Sequence, residues 1–153
     1  MIIRQANEND IPVLAELFED SVRQIAPEQY SPAQVAAWAA SAANVESFGR
    51  FILESTTFIV ETDDLMLGFG GVTKPGYLSS LYVRGGYNRQ GVGSRLLTQI
   101  LEYARTDNIS RLYTKASEFS KPLFEKFAFK IYDEVDIERN DVVFHRYLMQ
   151  RFL

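Results

Sequence analysis

The hydrophobic pattern changes period several times along the chain, and each change marks an element. "MIIRQA" reads as a short strand. "NENDIPVLAELFEDSVRQIA" then sets Ile11, Leu14, Leu17 and Phe18 at helical spacing, with Asn9 or Asp10 as cap and Pro12 in the first turn. "SPAQVAAWAASA" predicts a second helix, capped by Ser31 and opened by Pro32, with Val35, Trp38 and Ala39 on one side. Three runs follow, "FIVET", "MLGFGGV" and "YLSSLYV", broken by Asp63-Asp64 and by the turn residues of "TKPG". They predict consecutive antiparallel strands. From Gly91 the period returns to 3.6, with Val92, Leu96, Leu97, Ile100, Leu101 and Ala104 forming the apolar stripe of a helix docked on a sheet. Thereafter come a strand "RLYTKA", a short helix "KPLFEKF" opened by Ser120 and Pro122, and strands "FKIYDEVDI" and "VVFHRYLM" joined by "ERND". No linker, repeat or low-complexity stretch interrupts this, so residues 1–153 read as one domain.

Composition narrows the picture. A hydrophobic fraction of 46% is enough for a packed core and excludes a disordered chain. The net charge of −4 provides no global positive field, so nucleic acid and anionic membranes are not expected partners, and any anion must be held locally. Aromatics and lysines in "FEKFAFKIY" alternate as a strand core does, which argues against base stacking. Without cysteine there is no disulfide, thiolate nucleophile or Cys-ligated metal, and the single His145 cannot make a His-rich site, so no metal is expected. His145 itself, in an alternating strand, reads as a packed or surface residue. The N-terminus lacks a basic-then-apolar pattern, and no window approaches the roughly 18 apolar residues of a membrane span. The expectation is a soluble, cytoplasmic protein.

One segment points to chemistry. "RGGYNRQGVGSRLL", residues 84–97, gathers glycines and arginines directly before the helix. A Walker loop is excluded, because Val92 stands where lysine is required after Gly86 and Gly91. The dinucleotide fingerprint is excluded too, because Leu96 replaces its third glycine. What remains is the physics common to both: Gly91 and Gly93 let backbone N–H groups converge on a phosphate at a helix N-terminus, with Arg84, Arg89 and Arg95 adding charge at the rim. Taken alone, the segment reads equally well as an ordinary surface loop.

With its loop directly after "LYV", the order β-α-α-β-β-β-loop-α-β-α-β-β resembles the GNAT superfamily of acyl-CoA-dependent N-acetyltransferases, and the likeness covers almost the whole chain. It implies an α/β fold, a mixed and mostly antiparallel sheet of about seven strands with helices on both faces. The family's pyrophosphate loop, Gln/Arg-x-x-Gly-x-Gly/Ala, matches "NRQGVG", with Asn88 departing at the first position. The resemblance implies acetyl-CoA as cofactor, its pyrophosphate held by the main chain of Arg89, Gln90, Gly91, Val92, Gly93 and Ser94. It implies further cofactor contacts at Leu81, Tyr82 and Val83 on a strand that splays from its neighbour, and at Ser117 and Phe124. "SKPLFEKFAF" is similar to the family's second signature, with Ala128 in place of Gly. "YSPAQVAAWA" is similar to a bacterial branch carrying Tyr-Ser-Pro-x-Gln-x-x-x-Trp-Ala.

The implied reaction is direct attack of a primary amine, on a small molecule or a peptide, upon the thioester; a homodimer is left open. Relatives often carry an acid on the strand before the loop, and a tyrosine where this chain has Phe124. Period two puts Tyr77, Ser79, Leu81 and Val83 on one face, where the first two become the catalytic candidates as water-relay partners. Glu118 is the nearest unplaced carboxylate, though it also reads as a solvated loop charge. Tyr30 and Trp38 are candidate walls of the acceptor pocket, or core aromatics. Two other readings stay open: a catalytically silent acyl-CoA-binding regulatory or sensor module, and an interaction protein that no longer binds CoA, against which both loop glycines speak.

Overall fold

The computed structural model describes all 153 residues. Its elements run β1 (Ile2–Gln5), α1 (Ile11–Ile25), α2 (Pro32–Ala39), α3 (Val45–Leu53), β2 (Thr56–Glu61), β3 (Met66–Thr73), β4 (Tyr77–Val83), α4 (Val92–Thr106), β5 (Arg111–Ala116), α5 (Lys121–Lys126), β6 (Lys130–Arg139) and β7 (Val142–Phe152). The seven strands form one sheet in the order β1-β2-β3-β4-β5-β7-β6. Every neighbouring pair is antiparallel except β4 with β5. An α/β fold with helices on both faces is what the sequence implied.

The period-two alternation of the strands divides the core in two. On one face α4 buries Val92, Leu96, Leu97, Ile100, Leu101 and Ala104 against Phe58, Val60 and Leu112, with Phe124 of α5 alongside. On the other, α1 to α3 bury Leu14, Leu17, Phe18, Trp38 and Phe48 against Ile59, Phe69 and Phe144. Each large apolar side chain removed from water contributes roughly 1.5–3 kcal/mol, so both layers are needed to offset chain entropy.

Two local readings are corrected. Of the two expected caps of the first helix, Asp10 stands at the cap position of α1 but makes no side-chain cap bond there; the capping side chain is Asn7, which accepts from the Asn9 N–H at 2.9 Å and opens a short 3₁₀ turn before α1. Asp10 is buried and paired with Arg4 at 2.8 Å. In addition, a third helix, α3, lies where no helix was read. Asn44 caps it by accepting from the Ser47 N–H at 3.0 Å, and Phe48 and Ile52 face the core. Its signal was only two buried positions four apart, with Gly49 between them weakening the helical pattern.

Candidate active site

The site begins where the sheet comes apart. β4 and β5 share a single bridge, Tyr77 with Tyr113, closed by the Tyr113 N–H donating to the Gly76 carbonyl at 3.0 Å. The Thr114 hydroxyl, donating to the Leu78 carbonyl at 2.9 Å, is the next link. Past these the two strands diverge and leave a cleft of about 1040 Å³. Its lining includes Leu123 and Phe124 from the α4 side of the sheet, and Trp38 and Val22 from the α1–α2 side. The gap is therefore a passage between the two faces.

A bulge shapes its wall. Gly71 pairs with Ser80 and Val72 with Leu78, so Ser79 is the extra residue on β4. One added residue inverts the alternation beyond it. Leu78, Leu81 and Val83 consequently pack with the α4-side cluster, while Tyr82 packs with the opposite one. The single face expected for Tyr77, Ser79, Leu81 and Val83 does not exist. The Ser79 hydroxyl shares a hydrogen bond of 2.7 Å with Ser55, and the Tyr77 ring lies 5.4 Å from that of Tyr113. Burial pushes the Tyr77 phenol above its ordinary value, with nearby Tyr82 adding to the rise and Arg139 drawing it back, so the hydroxyl keeps its proton at neutral pH.

At the far end of β4 the glycine loop meets the cleft. Gly91 precedes α4 at φ +83°, a left-handed conformation that a residue without Cβ adopts freely, and no side chain caps the helix there. None of the six main-chain N–H groups from Arg89 to Ser94 donates to an acceptor inside the protein. Unpaired donors at the positive end of a helix dipole form a site for an anion. Asn88, Arg89, Gly91, Gly93 and Ser94 line the cleft. Gln90 and Val92 do not: the Gln90 amide turns back to the Gly86 carbonyl at 3.4 Å, and the Val92 side chain is sealed in the core. Of the three arginines expected at the rim, only Arg89 is there. Arg84 is held by Glu16 at 2.9 Å and by the Met66 carbonyl at 2.8 Å, and Arg95 is exposed and outside the lining.

The remaining candidates separate in the same way. Ser117 and Phe124 line the cleft, the Ser117 main-chain N–H donating to the Ser120 hydroxyl at 2.9 Å and Phe124 lying 5.1 Å from Phe129 in the core. Trp38 lines it as well, though only 7% exposed, with its indole N–H donating to the Tyr82 hydroxyl at 3.3 Å. Tyr30 does not reach the lining; its ring packs 5.7 Å from Trp38 and 5.7 Å from Phe144. Glu118 accepts from the Tyr147 hydroxyl outside the cleft, and His145 is an exposed partner of Glu134 and Asp136 on β6. Arg139 and Arg146 line the α1–α2 side and were not singled out in the sequence. A signal for Arg146 existed: it stands two residues after Phe144, on the inward register of an alternating strand. Arg139 gave none, because the sixth strand was read as ending at Ile137.

Comparison with known proteins agrees with this geometry. Residues 26–151 match the acetyltransferase (GNAT) domain family. The chain is 26% identical over 148 residues to YafP, an uncharacterised N-acetyltransferase of Escherichia coli K12, covering 97% of this chain and 93% of that protein. Among solved structures, a GCN5-related N-acetyltransferase from Rhodopseudomonas palustris superposes with a TM-score of 0.95 at 24% identity, over 99% of this chain and 95% of the other. The PaiA N-acetyltransferase of Thermoplasma acidophilum, solved with coenzyme A, gives 0.81 at 16% identity, over 99% and 98%. At such identities these two structures establish the fold.

Proposed function

The chain belongs to the GNAT acetyltransferase family, and from that premise we propose that it moves an acetyl group from acetyl-CoA to a primary amine by direct attack. The observation that carries this reading is the junction of two features in one cleft: an edge of β4 left free by the parting from β5, and a run of unpaired N–H groups at the start of α4. The donor set fits the cofactor. The unpaired N–H groups of Arg89, Gly91, Gly93 and Ser94, all lining the cleft, suit a pyrophosphate, and the free main chain of Leu81 and Val83 suits the amide-bearing pantetheine arm.

Acetyl-CoA supplies the acetyl group as an activated thioester; what the protein adds is position and proton management. The acceptor enters from the α1–α2 side, opposite α5, so that its nitrogen meets the carbonyl through the gap between the strands. Holding the two partners in line removes much of the entropic barrier. In the transfer a C–N bond forms and the C–S bond breaks; of the two protons the ammonium gives up, one leaves to solvent and one is taken by the departing sulfur. Glu28 is the sole carboxylate lining the cleft, and it lies exposed at the rim. Ser79 and the protonated Tyr77 are therefore the groups placed to pass protons through water, a dispersed arrangement without a dedicated base.

The test is thiol release from acetyl-CoA with a panel of primary amines, together with calorimetry of CoA binding. Release that depends on the amine, with an acetylated product by mass, is the expected outcome. Tight CoA binding with no acceptor would favour a sensor, and absence of CoA binding would remove both readings.

A further inference from the structure

Arg146 is 6% exposed and has no carboxylate partner. Its guanidinium carbon lies 4.9 Å from the centre of the Trp38 ring and 4.9 Å from that of Phe144, and Tyr30 closes the cage at 5.9 Å. Nη1 donates to the Tyr30 hydroxyl at 3.2 Å and to the His145 carbonyl at 3.1 Å. Nε and Nη2 have no partner within the protein, and no unpartnered side-chain nitrogen in the molecule is sealed from solvent. Since Arg146 lines the cleft, its free edge opens there.

A buried cation is expensive unless something matches its charge, and aromatic faces match it only in part. Here the matching group is absent from the protein itself. The Nε and Nη2 donors lie side by side in one plane, the fork that takes both oxygens of a carboxylate. Neighbouring charge agrees: Arg139, half-buried, lines the same side and donates only to the Ser41 hydroxyl, at 3.2 Å. In all, Arg89, Lys115, Lys126, Arg139 and Arg146 line the cleft against Glu28, although the whole protein is acidic. The phosphate-binding loop does not account for Arg146, which packs in the cluster on the opposite side of the sheet from α5.

We propose that the acceptor is an amine that also bears a carboxylate, and that Arg146 holds this carboxylate through Nε and Nη2. This rests on the acetyl-transfer reading and deepens it. An aromatic cage held rigid around the guanidinium fixes the fork before the ligand arrives, so the carboxylate orients the amine toward the gap between β4 and β5. The same positive lining disfavours polycationic acceptors.

Two readouts separate this proposal from the activity on which it rests. The first compares turnover of α-amino acids, β-alanine and γ-aminobutyrate with that of their C-terminal amides. Acids should exceed amides by at least about tenfold in kcat/KM, and Arg146→Met should raise KM for the acids by about tenfold or more and erase that ratio while CoA affinity holds. Arg146→Lys should restore part of the preference. Amides used as well as acids by the unaltered protein would overturn the proposal, as would a ratio that survives Arg146→Met, or binding confined to O-phosphoethanolamine. The second readout needs no turnover: Trp38 is the sole tryptophan and touches Arg146, so its emission reports what the guanidinium binds. A saturable change with the acids and none with the amides sustains the carboxylate site even if no amine is acetylated, an outcome that would instead sink the acetyl-transfer reading. No change with any acid removes the site.

Discussion

The two sides of the cleft are built from different materials. On the α4 side the cleft offers unpaired main-chain N–H groups at the start of a helix; every residue type except proline has an N–H, so most side chains in between matter little to what that wall can bind. On the α1–α2 side the wall is made of particular side chains: Trp38, Phe144 and Tyr30 around Arg146, with Arg139 and Tyr77 nearby. A surface made of backbone suits a ligand that never changes, whereas one made of side chains can be altered residue by residue. The contrast explains how one fold can keep its acyl donor and vary its acceptor.

The contrast can be broken most severely at Trp38. Because it is buried among aromatics and bonded to Tyr82, Trp38→Ala should destabilise the fold by roughly 3–5 kcal/mol, read as a lower denaturant midpoint. Trp38→Phe keeps most of the packing and should raise KM for the acceptor with CoA affinity unchanged; loss of CoA affinity would mean the two sides are not separate. A smaller effect is expected at the gap. Ser79→Ala and Tyr77→Phe should each lower kcat by about 10²-fold or less, the lower end of what an acid or base contributes. Abolished turnover in either, or in Glu28→Gln, would identify a dedicated base and end the dispersed picture.

The backbone side is tested by Gly93→Val. A Cβ there would come within 2.8 Å of the Leu123 side chain, and both residues line the cleft, so the added side chain must push Leu123 aside or enter the space the ligand needs. CoA affinity measured by calorimetry should fall at least about tenfold, or roughly 1.4 kcal/mol, with acceptor specificity intact. Unchanged affinity in a folded variant would remove the loop from the site.

The smallest effect lies outside the cleft. Hydrogen bonds donated by the His145 ring to Asp136 and then to Glu134 raise its pKa above the ordinary 6.5. A raised folded value means that the pairing stabilises fully below about pH 6.5 and fades as pH climbs through the folded pKa. His145→Gln should flatten the pH dependence of stability across neutrality and leave both ligand affinities alone.

How legible each side was in the sequence follows from the same contrast. The loop could be read because glycine spacing before an apolar stripe has a direct backbone meaning. The strands and α4 were read because their periods are long and clean. Arg146 escaped because its importance comes from three aromatic neighbours on α2, β7 and the turn before α2, which only the fold assembles. The bulge at Ser79 left no mark in "YLSSLYV", since an added residue in a strand has no composition of its own. Helix α3 escaped for a third reason: Gly49 and a short run of two core positions give too little periodic signal.

The parting of β4 from β5 also has a colloidal side. Strand edges with free hydrogen-bonding groups recruit other strands and seed aggregation, and soluble proteins shield them. Here two edges lie inside the molecule, walled by α5 on one side and by the turn leading to α2 on the other. For these two inner edges, shielding and ligand access both depend on how far the strands part. Any substitution that widens the parting, such as loss of the Thr114 hydroxyl bond to Leu78, should lower the temperature at which aggregation begins, and a thin ligand lying along β4 should raise it.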